Sequence, residues 1–462
     1  MPNLFEADFD KINFTDLVTT ADELLRKLFP ICRSITGDGV RQTLNLLRDI
    51  VDFELHEIPS GSSCFDWTVP REWNIHDAYI EDAAGKKIVD FRNNNLHVVN
   101  YSVAVDCVIT FEELAQHLFT LPDLPDAIPY RTTYYNENWG FCLSHNQLQG
   151  MDRNAEYHVK IDATLQPGSL TFGERNIDGV SGQEFLISTY CCHPSLANDN
   201  ISGIVLWTLL MRQMLKCQTR HTYRFVIVPE TIGALAYLAK YENDLQNIRG
   251  GFVLTSVAGP GLFGYKRSFI ENNLVDRVAA KTFKELNLNY IEYDFDGIGA
   301  DERQYSSPGF RIPIGTICKD KHNEYKYYHT SFDNLDFISA EHLVDTLKLY
   351  LMTIEKLEMN LTYRSCLRGG EAMFGRRKLY PNIGGVPHKH KHEASAMDRL
   401  SPVCESRIEP AVELDAMRWL MFYCDGGMTL MDIAEKNNFP VKQLYRAAER
   451  LRKQNLVEIV NS

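Results

Sequence analysis

The chain of 462 residues has no apolar run long enough to cross a bilayer. Its longest, "ISGIVLWTLLMRQML", contains Arg212 and falls short of the ~20 residues a helical span needs. It has no basic excess: 48 Lys and Arg stand against 61 Asp and Glu, a net charge of −13, which argues against general binding to nucleic acid or anionic membranes. It has no CxxC spacing. Its 11 cysteines are odd in number and scattered, apart from the adjacent pair Cys191 and Cys192. That usage predicts reduced thiols and a cytoplasmic protein. The first residues, "MPNLFEADFDKINF", are acidic where a secretory signal is basic. There are no internal repeats.

What is present changes texture along the chain. Residues 1–52 read as helical, with "TDLVTTADELLRKLFP" opening on a Thr cap and carrying apolar residues at helical spacing. Residues 53–165 are short β-like runs between Gly, Pro and Asn turns and are expected to form an inserted small β-rich domain. Residues 166–385 form the next unit, in which the strands "EFLISTY", "RFVIVPE", "GGFVLTSV" and "IPIGTI" alternate with helical patterns. Alternation of this kind predicts an α/β sheet flanked by helices. Residues 386–410 have no period and read as a linker. Residues 411–462 read as a compact helix-turn-helix unit followed by a short strand.

Ligands of α/β sheets bind beyond the carboxyl ends of the strands. Just past the predicted strands lie His193 and Asp199, then Glu230, then His329 and Asp333; a further segment supplies Asp301 and Glu302. Neutral imidazole and carboxylate hold zinc, and a catalytic zinc keeps one position open. A nearby carboxylate, here Glu230, can then move a proton. Asp333 is a candidate for fixing a ligating histidine ring. Each residue taken singly has an ordinary explanation. Asp199 and Asp333 can be helix caps, and Cys191 and Cys192 read as buried strand-end thiols. Their joint placement at one rim is what favours a metal.

"HPSLANDNISG", "PETIG" and "YHTSFDNLD" resemble, in order, three motifs of the zinc aminopeptidase family typified by bacterial aminopeptidase S and yeast aminopeptidase Y. The resemblance implies a mixed sheet flanked by helices, with zinc ligands at His193, Asp199 and His329 and a catalytic base at Glu230. Over nearly the whole chain, "LFPICRSITGDGVRQTL", "FDWTVPREWNIHDAYI", "YYNENWGFCL" and "DERQYSSPG" are similar to a bacterial subfamily of aminopeptidase-like proteins. That subfamily carries an inserted β-domain and a C-terminal winged helix, and its genes often sit among polysaccharide or other biosynthetic genes. It implies that Arg33 and Ser34 face the site, where Arg33 could pair with a substrate carboxylate. Asp301, Glu302 and Arg303 are further substrate-binding candidates, and Tyr265 to Arg267 weaker ones.

The chain departs from the family pattern in three places. Thr231 stands where a second Glu ligand is expected, Ala258 or Gly259 where an Asp ligand is expected, and Ser195 where an H-x-D aspartate is expected. Three ligands suffice for one zinc, so one ion is expected and a second is not. His322 and the His388 to His392 tract are spare donors. The expected activity is zinc-dependent hydrolysis of an amide in a small aminoacyl or peptidyl substrate. A ligand-binding protein that has lost its metal, and a DNA-binding regulator with a sensor domain, are the other readings. From Ala411 to Ser462 the chain has seven basic and seven acidic residues. Such a balance makes nucleic acid an unlikely partner and favours packing, or a homo-oligomer, through this unit.

Overall fold

The computed structural model describes residues 12–380 and 410–460. The His388 to His392 tract and most of the expected linker lie outside the described residues.

The eight strands of the main sheet are β1 (Glu54–Pro59), β2 (Ser169–Ile177), β3 (Glu184–Tyr190), β4 (Thr222–Val228), β5 (Ile248–Val253), β6 (Phe263–Lys266), β7 (Tyr290–Tyr293) and β8 (Ile314–Lys319). Their order is β1-β2-β4-β3-β5-β8-β6-β7. The centre, β4-β3-β5-β8, is parallel throughout. These are the four strands that the alternating pattern predicts. The β1-β2, β2-β4 and β6-β8 pairs are antiparallel, so the sheet is mixed.

The period of two along each central strand sorts its side chains between two cores. Phe185 and Ile187 of β3, with Tyr223, Phe225 and Ile227 of β4, enter one. Leu186, Val226 and Val228 enter the other. On the first face lie the mutually packed helices Phe14–Leu28, Gly203–Met214 and Ala340–Met359. The opposite core holds the helix Ile232–Lys240 together with residues of a second, four-stranded antiparallel sheet. That sheet runs Lys87–Asp90, Glu72–Glu81, Glu156–Gln166, Val105–Thr110.

The two sheets are tied to the N-terminal helices. The helix Phe14–Leu28 is capped by Asn13, whose side chain accepts from the Asp16 amide, rather than by the expected threonine. The helix Asp38–Arg48 has no cap of its own. Asn74 Oδ1, from the second sheet, accepts the Asp38 amide at 2.7 Å. Gly37 has to be glycine there: its φ is +98°, and a Cβ would lie 2.1 Å from the Trp73 carbonyl oxygen.

The C-terminal unit is a winged helix whose three-stranded sheet takes its central strand, Thr362–Ser365, from the end of the α/β domain. Its helices share the first core. Arg277 donates to Asp432 and Glu435, the Val441 amide donates to Glu285, and Lys442 pairs with Glu355. The N-terminal turn of the helix Val441–Arg452 therefore faces the α/β domain. No helix among the described residues is long and apolar enough to cross a membrane.

Candidate metal centre

Strand β3 ends at Tyr190, and the chain turns through Cys191, Cys192 and His193 before the irregular turn Ala197–Ser202 delivers Asp199. Strand β4 ends one residue before Pro229 and Glu230. The loop after β8 brings in His329. The three come together: His329 Nε2 is 3.1 Å and His193 Nε2 4.0 Å from Asp199 Oδ2, and His193 Nε2 is 3.8 Å from Glu230 Oε2. One donor atom each from His193, Asp199 and His329 lies within 4.8 Å of the others, a set able to hold a metal ion. Ligands about 2 Å from a tetrahedral ion stand roughly 3–3.5 Å apart, so the donors fit one zinc with a small inward movement of His193.

The electrostatics suit a cation. Burial pushes His193 down to about 4, which keeps the imidazole neutral and its lone pair available at neutral pH. Burial alone would raise Asp199. His193 and His329 outweigh it and hold the carboxyl well below the ordinary range. Tyr190 donates to Asp199 Oδ1 at 2.5 Å, so the other oxygen is left to the histidines. Glu230 is pushed the other way, first by burial and then by the charges of Asp301 and Asp199. A second donor set, Cys192, His193 and Glu230, reuses His193. Burial holds the Cys192 thiol protonated, and its sulfur already accepts the Glu230 amide, so it is the poorer set.

The residues expected around the metal take different positions. Asp333 does not orient a histidine. Its Oδ1 accepts the Asn198 amide at 2.7 Å, and its Oδ2 accepts the Asp199 amide at 3.0 Å and the Tyr325 hydroxyl at 2.9 Å. It therefore clamps the turn that carries Asp199. Arg33, expected at a substrate carboxylate, is fully buried beneath the site. Its guanidinium donates to the carbonyls of His193 and Leu28, both at 2.9 Å, which fixes the His193 backbone. Ser34 donates to Asn100. Asp301 accepts the Thr231 amide at 2.7 Å and Arg303 donates to the Thr231 hydroxyl at 2.9 Å, so both hold the turn that carries Glu230. Glu302 is buried against Lys266 at 2.6 Å. Tyr265 and Arg267 are engaged by Asp276 and Asp294. Ser195 is tied to Phe29 and Asn95.

The two positions where the resemblance expects further ligands are otherwise engaged. Thr231 is bound by Asp301 and Arg303. A Cβ on Gly259 would lie 2.2 Å from Asp320 Oδ2, so that carboxylate occupies the space a side chain would need.

Two further residues came to light only in the structure. The backbone of residues 128–131 pairs with 329–331, through Tyr130 N to His329 O at 2.8 Å and Ser331 N to Ile128 O at 2.8 Å. This brings the Tyr130 ring to 5.2 Å from His193 and 5.0 Å from His329, and the Tyr130 hydroxyl to 3.1 Å from that of Tyr134. The only signal in sequence is the tyrosine density of "PYRTTYYNENW".

Residues 22–360 match the family described as a domain of unknown function, DUF4910. The chain belongs to the DUF4910 family. Residues 402–459 match the winged helix-turn-helix. A Clostridium acetobutylicum protein, described provisionally as a polysaccharide biosynthesis protein with an aminopeptidase-like domain, is 40% identical over 437 residues, 95% of either chain. The crystal structure of a provisionally assigned peptidase from Clostridium acetobutylicum superposes with a TM-score of 0.87 at 38% identity, over 97% of this chain and 98% of that one. A zinc aminopeptidase from Bacillus subtilis matches at TM-score 0.56 and 13% identity, over 74% of this chain and 95% of that one. That last likeness is one of fold. DUF4910 in this chain is thus an aminopeptidase-like α/β domain with a second sheet, followed by a winged helix.

Proposed function

We propose that the chain is a single-zinc amide hydrolase acting on a small aminoacyl or peptidyl compound. The carrying observation is the convergence of His193, Asp199 and His329 with Glu230 at the adjoining strand end. When bound, zinc supplies Lewis-acid polarisation of the scissile carbonyl and makes water more acidic. The chain's own groups do the rest. Asp199 and the two histidines would hold the cation. A cation held at this site would offset the push of Asp301 and Asp199 on Glu230 and favour its ionised form, which would take the proton from the attacking water and return it to the leaving amine. Asp301 and Arg303 position Glu230 through Thr231, and Asp333 positions Asp199. The Tyr130 ring packs against both histidine rings. The relative's description makes a biosynthetic intermediate of a polysaccharide pathway the natural setting.

The test is a panel of aminoacyl and acyl amides presented to zinc-loaded and chelator-treated protein. Turnover confined to the zinc-loaded form supports the reading; equal rates in both forms refute it.

A further inference from the structure

A two-stranded hairpin separate from both larger sheets presents an aromatic surface that the metal centre does not use. Ser63–Cys64 and Trp67–Thr68 pair as a short hairpin with Phe65 and Asp66 at its turn. Phe65 has a φ of +57° and Tyr135 one of +65°. Left-handed backbone is unfavourable for bulky residues. Burial does not compensate, because the side chains of Phe65, Trp67 and Tyr135 are 45%, 41% and 47% exposed. The positive φ of Phe65 is what the first residue of a two-residue hairpin turn takes, and the turn holds its ring out towards solvent.

The rings form two pairs, one on the turn of the hairpin and one on its second strand. Trp67 and Tyr135 meet edge-on at 5.4 Å, and Phe65 meets Phe310 at 5.8 Å. Tyr135 also lines a cavity of about 190 Å³, together with Arg71, Tyr101, Asn136 and Glu137. Two links join the patch to the elements that carry the metal centre. Cys64 shares a core with Ile232, which opens the helix just after Glu230 and Thr231. Tyr135 follows Tyr134, whose hydroxyl meets that of Tyr130 above the two histidines.

The chemistry selects the ligand. Aromatic faces beside a planar amide, a carboxylate and a guanidinium fit a pyranose: its C–H face lies on the rings and its hydroxyl edge exchanges hydrogen bonds with the polar groups. A phosphate-bearing ligand would want an unpaired cation, and Arg71 is already paired with Glu137. A purely apolar side chain would take the Arg71–Glu137 ion pair and the Asn136 amide out of water while offering them no hydrogen bond.

We infer that Phe65, Trp67 and Tyr135, with Arg71, Asn136 and Glu137, form a saccharide subsite, and that the amide presented to Glu230 is carried on an amino sugar. The second half of this inference rests on the hydrolase reading; the subsite itself does not.

The experiment is a binding screen of the full chain, with and without chelator, against di- to tetrasaccharides built from neutral hexoses, free amino sugars and N-acyl amino sugars. Each hit is then titrated by tryptophan fluorescence and by calorimetry. The inference expects at least one saccharide to bind, and to bind about ten-fold more weakly to Trp67→Ala and to Tyr135→Ala, with melting temperature and zinc content unchanged in both variants. Binding that survives chelation while no amide is turned over would keep the subsite and refute the hydrolase. No binding across the panel, binding unaffected by both substitutions, or selective binding of peptides instead would overturn the subsite.

Discussion

His329 Nε2 stands 3.1 Å from Asp199 Oδ2 across 130 residues of sequence. One residue lies in a turn at the end of β3 and the other in a loop after β8. Their meeting depends on the parallel order of β3, β5 and β8, and it turns two scattered motifs into one donor set.

Glu230→Gln should leave zinc content and melting temperature unchanged while turnover of any amide substrate falls by about 100-fold or more. The comparison is kcat beside metal content on the same preparation. Undiminished kcat would remove Glu230 from the chemistry.

Asp333→Ala should weaken metal binding by about 10–100-fold without removing any donor atom, because the amides of Asn198 and Asp199 lose their acceptor. A competitive chelator titration of wild type and variant checks this. Equal affinities would mean that the Asp199 turn holds its shape unaided.

Burial pushes Asp301 up to about 7 from an ordinary 3.8. A raised folded value means that the native state holds the proton more tightly. Its stabilising contribution is complete below about 3.8 and is lost as pH rises through 7. In chelator-treated protein, Asp301→Asn should therefore make the fall in melting temperature between pH 4 and 7 shallower. It should not abolish the fall, because burial also pushes Asp333 up to about 7. An unchanged slope would show that Asp301 does not titrate in this range.

The winged helix should not bind duplex DNA. A helix-turn-helix reads bases with the N-terminal residues of its second helix, and here that turn is held against the α/β domain by Glu285 and Glu355. Fluorescence anisotropy with duplex DNA at low salt should show no salt-dependent binding. Arg277→Ala, which removes a half-buried charge network to Asp432 and Glu435, should lower stability by about 1 kcal/mol. Tight, salt-sensitive DNA binding would contradict this arrangement.

Much of the architecture was legible in the sequence, because buried parallel strands and amphipathic helices carry strong periodic signals. All four central strands and the helices Gly203–Met214 and Leu274–Leu286 follow from such patterns. The short strands β6 and β7 escape, since "FGYK" and "YIEY" are too brief to show a period. The gathering of His193, Asp199, Glu230 and His329 at one rim follows from their places after successive strands. The supporting contacts do not. Arg33 acts on the His193 carbonyl, Asp333 on two backbone amides and Asp301 on the Thr231 amide, and backbone partners leave no mark in side-chain spacing. Tyr130 reaches the site through loop pairing with residues about 200 positions away, which no local pattern encodes.

The measurement that tests the central claim most directly is metal content per chain, by elemental analysis, of protein purified without chelator or nickel resin and then offered zinc. The account predicts about one zinc per chain in wild type, and loss of that zinc in Asp199→Ala and in His329→Ala. A wild type that binds no zinc under these conditions, or variants that keep it, would contradict the metal centre and leave a metal-free, ligand-binding descendant of the fold.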